Sequence, residues 1–281
     1  MNLAGGKRDA AHMVANPGPV VGVFDSGFGG LSVLRALLSK IPSANYLYLG
    51  DTARLPYGAK SQATIARYAV ESARFLEQRG CEYLVIACNT ATALALEDIR
   101  RAVSVPVLGV IEPGAHAAKH AVGKTGGEVL VLATAATVES HAYRAHCAAH
   151  GLRATEKACP LLVPLIEEGW LDREVTREVV RTYLREALES CSPRLVILGC
   201  THYPLIAGLI REVLEELGSG AEVLDSAQVT SVAVAEGVRR DGDGGGTFEC
   251  FATDSVEKFR RLGSGFLGQE ILGVELLDLG G

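Results

Sequence analysis

The feature that most constrains this chain is an internal repeat of one strand-and-turn sequence. The segment YLVIACNTATAL contains Cys88, and the segment LVILGCTHYPLI contains Cys200, 112 residues further along. In each copy, a run of apolar residues that predicts a buried strand ends at the cysteine, and a helical pattern follows. A chain that contains this unit twice is expected to fold as two related halves.

The pattern around the repeat predicts an α/β fold with mainly parallel sheets flanked by helices. Short branched apolar runs alternate with longer helical patterns along most of the chain, which is typical of this class. Strands are predicted at 20–24, 46–49, 83–87, 107–110, 128–132, 195–198, 222–224, 247–252 and 271–277. Helices are predicted at 31–40, 61–79, 92–102, 136–150 and 174–190.

A second pair of segments repeats at nearly the same spacing. VGVFDSG falls on VLVLATA 108 residues later, which sets Asp25 and Ser26 opposite Ala133 and Thr134. In open α/β sheets, ligands bind outside the carboxyl ends of the strands. We therefore expect each half to contribute strand ends to one cleft between two pseudo-symmetric domains, and we expect the active site there.

Composition and charge exclude several classes of protein. The net charge is −6 and no block of basic residues occurs, so a nucleic-acid surface is not expected. No apolar run approaches the ~20 residues that span a bilayer. Residues 1–19 lack the apolar stretch of a secretory signal and are predicted to be a disordered tail. Seven cysteines without a C-x-x-C pair favour a cytoplasmic enzyme with free thiols.

The two repeated cysteines carry the predicted chemistry. A thiol between a strand end and a helix N-terminus is expected to have its pKa lowered below the free value of about 8.5. The alternative is that each is a small buried packing residue. A matched pair that faces one cleft suits a two-base reaction, in which Cys88 and Cys200 remove and return a proton on opposite sides of a carbon. One group is then thiolate while the other is thiol.

A glycine-rich segment, VFDSGFGGLSV, follows the first predicted strand. Its glycines permit a tight turn and expose backbone amides at a helix start, which favours binding of a carboxylate. It is not a dinucleotide fingerprint, because Ser32 stands where the last glycine would be required. Asp25 is expected to orient a thiol, to bind an ammonium group, or simply to cap the helix.

Six segments together resemble the glutamate racemases of the aspartate/glutamate racemase superfamily. They are DSGFGGLSV, YLGDTARLPYG, VIACNTATA, VLATAATVES, CPLLVPLIEEG and VILGCTHYPL, in this order. CNTA and GCTHYP are shared across the superfamily, whereas DSGFGG with DTARLPYG points to the glutamate branch. The resemblance implies a cofactor-independent isomerase that supplies D-glutamate for peptidoglycan. It also implies a first domain at 20–112 plus 222–281 and a second at 113–221.

The resemblance assigns roles to residues at matching positions. Cys88 and Cys200 would be the acid/base pair, acting on D-glutamate and L-glutamate respectively. Asp25 would assist Cys88, while Glu167 and His202 would assist Cys200. The residues implied to bind substrate are Asp25, Ser26, Pro56, Tyr57, Gly58, Asn89, Thr90, Thr134, Thr137, Thr201 and His202. No metal and no cofactor are expected. A homodimer is expected, and activation by a cell-wall precursor is left open.

Several residues have a second interpretation from sequence. Tyr57 would also fit a surface tyrosine that packs on its own loop. An imidazole beside a thiol, as at His202, would also fit a cysteine hydrolase. Only the resemblance selects Glu167 over its neighbour. His146 and His150 are one helical turn apart, which allows a metal site, although a solvated helix face is the expectation.

Two alternatives to glutamate racemisation stay open at this point. The first is a racemase, isomerase or decarboxylase of the same superfamily that acts on aspartate or another small acid. The second is a two-domain protein that binds an amino acid without catalysis. Exchange of the α-proton with solvent separates the enzymes from the binder.

Overall fold

The computed structural model describes residues 18–123, 127–238 and 245–279. Apart from residues 18 and 19, the tail predicted at 1–19 lies outside the described residues. Within the described part of the chain, no helix is long and apolar enough to cross a membrane.

Strands and helices alternate along the chain, as the sequence predicts. The strands are β1 Val20–Asp25, β2 Asn45–Gly50, β3 Tyr83–Ile86, β4 Val107–Gly109, β5 Glu128–Ala133, β6 Arg153–Ala158, β7 Leu195–Gly199, β8 Glu222–Asp225, β9 Phe248–Ala252 and β10 Glu275–Leu276. The helices are α1 Leu31–Lys40, α2 Gln62–Gln78, α3 Asn89–Ala102, α4 Ile111–Val122, α5 Ala135–Glu139, α6 Ala142–Ala149, α7 Leu162–Glu167, α8 Glu174–Leu188, α9 Ala207–Glu216, α10 Ser226–Gly237 and α11 Val256–Leu267. Short 3-10 helices occur at Thr52–Arg54, Tyr57–Ala59 and Tyr203–Ile206.

The strands form two parallel sheets that repeat one topology. The first sheet has the order β10-β9-β2-β1-β3-β4, and the second has the order β6-β5-β7-β8. All of the strand pairs in both sheets are parallel. The strand order β2-β1-β3-β4 in the first sheet corresponds to β6-β5-β7-β8 in the second. The strand before Cys88, β3, and the strand before Cys200, β7, therefore occupy equivalent positions. The predicted α/β fold with two related parallel sheets is confirmed.

One strand and several helices, including α4, α10 and α11, were not predicted, and two predicted elements differ from the structure. The strand β6 was not predicted, because its sequence RATEKA is largely polar and lies at the edge of the second sheet, where most of its side chains reach solvent. The single helix predicted at 136–150 is two helices, α5 and α6, since the left-handed backbone of His141 (φ 55°) interrupts it. The strand predicted at 271–277 is reduced to β10.

The sheet pairing also bears on the proposed domain boundary at residue 222. The prediction places 222–281 with the first domain, but β8 pairs with β7 in the second sheet. The chain joins the first sheet again only at β9, which pairs with β2. A boundary after β8 therefore fits the strand pairing better than one before it.

Buried apolar residues connect the two sheets. One cluster covers a face of the first sheet, including Phe24 and Ile86, and another covers a face of the second sheet, including Val131. A third cluster runs continuously from Val23 on β1 to Leu198 on β7. Because this shared core is close-packed, the strand ends of the two halves are held in a fixed arrangement.

Candidate active site

Both repeated cysteines line a single cavity of about 400 Å³ at the carboxyl ends of the strands. This volume lies within the range of about 300–1,000 Å³ typical of small-molecule sites. The lining residues from the first half are Ser26, Leu55, Pro56, Tyr57, Gly58, Cys88, Asn89, Thr90 and Lys258. Those from the second half are Thr134, Val163, Pro164, Glu167, Glu168, Cys200, Thr201 and His202. The cavity therefore lies between the halves, as predicted.

Cys88 is held where β3 turns into α3. Its sulfur is the N-cap of α3 and accepts a hydrogen bond from the backbone N–H of Ala91 at 3.4 Å. Its thiol donates to the hydroxyl of Ser26 at 3.4 Å. The predicted lowering of the Cys88 pKa is wrong: burial raises the pKa to about 12 and the Asp25 charge adds to the rise, while hydrogen bonding with Ser26 and Ala91 offsets only part of it. Desolvation outweighs the helix N-terminus here.

Asp25 lies behind the cavity wall. Its Oδ2 accepts a hydrogen bond from the backbone N–H of Gly27 at 2.9 Å, while its buried Oδ1 has no partner among the described residues. Burial raises the pKa of Asp25, although the charge of His202 and the amides of Gly27 and Gly30 oppose the rise. The side chain is 1% exposed and does not line the cavity, so its predicted contact with substrate stays a prediction. Its influence on Cys88 is electrostatic.

Cys200 has a different set of partners. Its sulfur lies 3.9 Å from Nδ1 of His202, and Nε2 of His202 lies 3.2 Å from Oε1 of Glu167. Burial lowers the pKa of His202, but the hydrogen bonds to Cys200 and Glu167 and the charges of both groups outweigh burial and raise the pKa to about 10. The contacts with Cys200 and Glu167 therefore favour the imidazolium form of His202. Of the two neighbouring glutamates, Glu167 makes the bond to His202, which supports the predicted role of Glu167 beside Cys200 but leaves that role a prediction.

The charge of Glu167 is stabilised in the same chain of contacts. Burial raises the pKa of Glu167, but the hydrogen bond and charge of His202, together with the charge of Lys258, lower it below 4.5 overall. The carboxylate and the imidazolium therefore stabilise each other beside Cys200. Cys88 has a carboxyl group as its neighbour and Cys200 has a cation, so the two thiols lie in unlike fields.

Three threonine hydroxyls join the two halves beside the cavity. Thr90 lies 3.0 Å from Thr134 and 3.2 Å from Thr137, and Thr134 and Thr137 are 3.0 Å apart, measured between Oγ1 atoms. Thr90 and Thr134 line the cavity, whereas Thr137 is fully buried and does not. The expected contact of Thr137 with substrate stays a prediction, and its visible role is to support the other two hydroxyls.

Asn89 lines the cavity and has one buried polar atom without a partner among the described residues. Its Oδ1 accepts a hydrogen bond from the hydroxyl of Tyr143 at 2.7 Å. Its buried Nδ2 has no hydrogen-bond partner among the described residues. A buried amide donor without a partner is costly, and this N–H group is not itself exposed to the cavity, so the predicted contact of Asn89 with substrate stays a prediction.

The loop that contains Tyr57 closes one side of the cavity. Tyr57 is 2% exposed and its hydroxyl donates to Oδ2 of Asp51 at 2.6 Å, so it is not a surface tyrosine. Its ring packs against Phe24, and its neighbours Pro56 and Gly58 line the cavity with it. Tyr57 therefore holds the loop in place, and the same residue also lines the cavity.

The glycine-rich turn after β1 and the loop after β7 touch at Gly29. A Cβ atom at this position would lie 2.2 Å from Oγ1 of Thr201 and 2.5 Å from Nδ1 of His202. Ser32 reinforces the contact, since its hydroxyl donates to the backbone carbonyl of Thr201 at 3.1 Å. The glycine-rich turn of the first half is thus packed directly against the loop after Cys200.

Five lining residues were not predicted from the sequence: Leu55, Val163, Pro164, Glu168 and Lys258. Leu55 and Glu168 adjoin predicted site residues, and Val163 and Pro164 lie about one helical turn before Glu167 on α7, so proximity in sequence could have found all four. Lys258 belongs to a distant helix, and no local pattern connects it to the cavity. As for the histidines considered as metal ligands, no group of three or more His, Cys, Asp or Glu residues in the described chain is arranged to hold a metal ion.

Relatives of the chain identify its family. A sequence profile described as Asp/Glu/Hydantoin racemase matches residues 30–234. The glutamate racemase of Koribacter versatilis is 50% identical, and the match covers 94% of this chain and 98% of that protein. The glutamate racemase of Aquifex aeolicus is 42% identical, with 89% of this chain and 95% of that protein covered.

Solved structures agree with the sequence comparison. Glutamate racemase from Thermus thermophilus, in complex with β-chloro-D-alanine, has a TM-score of 0.82 at 41% identity, covering 94% of this chain and 98% of that one. The Francisella tularensis enzyme in complex with D-glutamate has a TM-score of 0.84 at 31% identity, covering 94% and 99%. The Escherichia coli enzyme in complex with L-glutamate and the activator UDP-MurNAc-Ala has a TM-score of 0.73 at 29% identity, covering 93% and 98%.

The likeness extends over nearly the whole of each chain, and it includes the strand ends at which both cysteines stand. The chain therefore belongs to the Asp/Glu/hydantoin racemase family and, within it, to the glutamate racemases, which are amino-acid isomerases.

Proposed function

We propose that this chain interconverts L- and D-glutamate by a two-base reaction in which Cys88 and Cys200 act on opposite sides of the α-carbon, without a cofactor. The observation that carries the proposal is that both sulfurs line one cavity and that each comes from a different sheet. The relatives that are described with D-glutamate and with L-glutamate support the choice of substrate.

The proposed reaction conserves its protons. The thiolate of one cysteine takes the α-proton, so that an S–H bond forms and the Cα–H bond breaks, while the electron pair stays on the α-carbon and its carboxylate. The thiol of the other cysteine then donates its proton to the opposite side of that carbon and becomes a thiolate. One turnover inverts the carbon and exchanges the protonation states of Cys88 and Cys200.

The unlike surroundings of the sulfurs favour one starting state. Part of the increase in the His202 pKa comes from Cys200, because a Cys200 thiolate and a His202 imidazolium stabilise each other. The raised pKa of Cys88 keeps that sulfur a thiol. This state removes a proton at Cys200 and returns one from Cys88, which suits L-glutamate under the expected assignment of enantiomers. In the reverse direction, protonation of Asp25 would relieve repulsion with a Cys88 thiolate.

Charge that develops on the substrate carboxylate needs donors in fixed positions. Asn89, Thr90 and Thr201 line the cavity from both halves and carry amide and hydroxyl donors. Donors that are already oriented stabilise a carbanion-like transition state more than the ground state. These groups are therefore proposed to hold the α-carboxylate.

The product also indicates a place in metabolism. We propose that the D-glutamate supplies peptidoglycan synthesis in the cytoplasm. The Escherichia coli relative is described with the activator UDP-MurNAc-Ala, and we propose testing whether this precursor activates the present chain. A homodimer stays a prediction.

The test is exchange of the α-proton with solvent. The protein is incubated with L-glutamate in heavy water without added cofactor, and optical activity and the α-proton NMR signal are followed. Both signals should decay with the wild type, and racemisation should be lost with Cys88→Ser and with Cys200→Ser. Cys81→Ser serves as a matched control, because Cys81 is buried but does not line the cavity. Retention of racemisation by either cavity variant would contradict the two-thiol reaction.

The same assay separates the alternatives. A protein that only binds glutamate would bind it without loss of either signal. Parallel incubation with L-aspartate distinguishes the two acidic substrates, and turnover of aspartate at a rate equal to or above that of glutamate would contradict the proposed specificity.

A further inference from the structure

Glu167 is contacted by cations from both halves of the molecule. Its Oε1 lies 3.2 Å from Nε2 of His202, which belongs to the loop after β7 in the second half. Its Oε2 lies 3.8 Å from Nζ of Lys258, which belongs to α11 and so to the part of the chain that packs on the first half. One carboxylate thus connects the general-acid machinery of Cys200 to a helix of the opposite half.

The position of Lys258 is well defined by its surroundings. Its ammonium group lies 5.5 Å from the ring centre of Phe28, which is in the glycine-rich turn. The next residue, Phe259, is fully buried against the rings of Phe28 and Tyr48. The start of α11 is therefore anchored, while the Lys258 side chain remains 47% exposed at the cavity.

We propose that Lys258 is a positioning residue that holds Glu167 toward His202 and thereby maintains the proton-transfer competence of Cys200. This inference rests on the proposed two-cysteine function. Glu167 is 20% exposed and stands at the end of the short helix α7, so its carboxylate has solvent as a competing partner. A second cation on the far oxygen fixes the carboxylate orientation that presents Oε1 to His202.

The order of charges supports this role. Beyond the sulfur of Cys200, His202, Glu167 and Lys258 form an alternating series of cation, carboxylate and cation. Among the described residues that line the cavity, Lys258 is the one lysine or arginine. Cys88 has no corresponding series, because its charged neighbour is Asp25. A defect at Lys258 should therefore affect one half-reaction more than the other.

A racemase imposes a condition on how that asymmetry is measured. The enantiomers have equal free energy, so kcat/KM must be the same in both directions for every variant. Isotope effects are not bound by this condition. Removal of deuterium from α-deuterated L-glutamate reports the step at Cys200, and removal from α-deuterated D-glutamate reports the step at Cys88, under the expected assignment.

The variants are Lys258→Met, which removes the charge at similar length, and Lys258→Arg, which keeps it. Arg261→Met is the matched control, because Arg261 is an exposed cation one turn further along α11. We expect Lys258→Met to lower kcat/KM about fivefold, the scale of a half-exposed ion pair, and Lys258→Arg to recover most of the loss. The acid limb of the kcat/KM profile should move to higher pH, since Lys258 no longer lowers the Glu167 pKa.

The isotope effects give the decisive result. In Lys258→Met, the effect with deuterated L-glutamate should increase and the effect with deuterated D-glutamate should decrease, because the Cys200 step becomes more rate-limiting. Equal changes in both directions, an unmoved acid limb, or the same loss in Arg261→Met would overturn the positioning role. If Cys88→Ser or Cys200→Ser still racemises glutamate, the two-cysteine function itself fails. If those variants are inactive but Lys258→Met equals wild type, only the role of Lys258 fails.

Discussion

Replacement of Gly29 by alanine should separate the glycine-rich turn after β1 from the loop after β7. The added Cβ would lie 2.2 Å from Oγ1 of Thr201, whereas ordinary contacts begin at 3.4 Å. It would also lie 2.5 Å from Nδ1 of His202, the nitrogen that faces Cys200. The loop after β7 must therefore move by about 1 Å to accommodate one methyl group, and a misplacement of that size can lower activity about 100-fold.

The expected stability loss is modest by comparison. Added volume in a packed site typically costs about 1–3 kcal/mol, and Gly29 has no left-handed backbone angle that alanine would strain. We therefore expect Gly29→Ala to fold, to show a free energy of unfolding lower by that amount, and to lose about 100-fold in kcat/KM for glutamate racemisation. Circular dichroism of the substrate measures the rate, and chemical denaturation measures the stability.

Gly265→Ala is the control for a glycine-to-alanine change that meets no atoms. A Cβ at Gly265 has nothing within 4 Å, and because it lies inside α11 the substitution should stabilise the protein by about 0.5–1 kcal/mol with unchanged activity. If Gly29→Ala retains wild-type kcat/KM, then the close approach of the two loops does not control the geometry at Cys200, and the steric reasoning is refuted.

Two further predictions concern groups beside the cavity. Burial alone would lower the His202 pKa, but Cys200 and Glu167 raise it from 6.5 to about 10, so its contribution to stability is complete below pH 6.5 and is lost as the pH rises through about 10. Chemical denaturation between pH 6.5 and 10 should show a steeper fall in the free energy of unfolding for wild type than for His202→Gln, and parallel curves would contradict this. Thr137→Val should lower the free energy of unfolding by about 1 kcal/mol, since it removes the hydroxyl that bonds to Thr90 and Thr134; an unchanged denaturation midpoint would argue against it.

The repeat in the sequence was sufficient to predict the fold, for a physical reason. Fully buried strands such as β5 and β7 require continuous branched apolar runs, and parallel strands require helices between them, so both signals are local. The edge strand β6 has no such signal, because solvent covers one side of it and its polar residues are tolerated there. The break between α5 and α6 depends on one backbone angle at His141, which residue type alone does not specify.

Residues that line the cavity were predictable where they stand at strand ends. Properties that depend on burial, and residues that are distant in sequence, were not. Cys88 and Cys200 were found from the repeat, but the pKa of Cys88 was predicted in the wrong direction. A helix N-terminus is visible in the sequence, whereas the depth of burial that raises that pKa is a tertiary property. Lys258 follows Cys200 by more than fifty residues and reaches the cavity only through the packing of α11, so local patterns contain no trace of it.

The duplicated topology bears on how a protein made of L-amino acids can act on both enantiomers of a substrate. A substrate and its mirror image present the reactive hydrogen in opposite directions, and a chain built once would favour one of them. Because the β2-β1-β3-β4 arrangement occurs twice, each enantiomer meets a similar arrangement of strands. The two halves differ in the charge near each sulfur, because a carboxyl group lies beside Cys88 and an imidazolium lies beside Cys200. The two directions of racemisation are therefore expected to use the same backbone arrangement but to differ in KM and kcat.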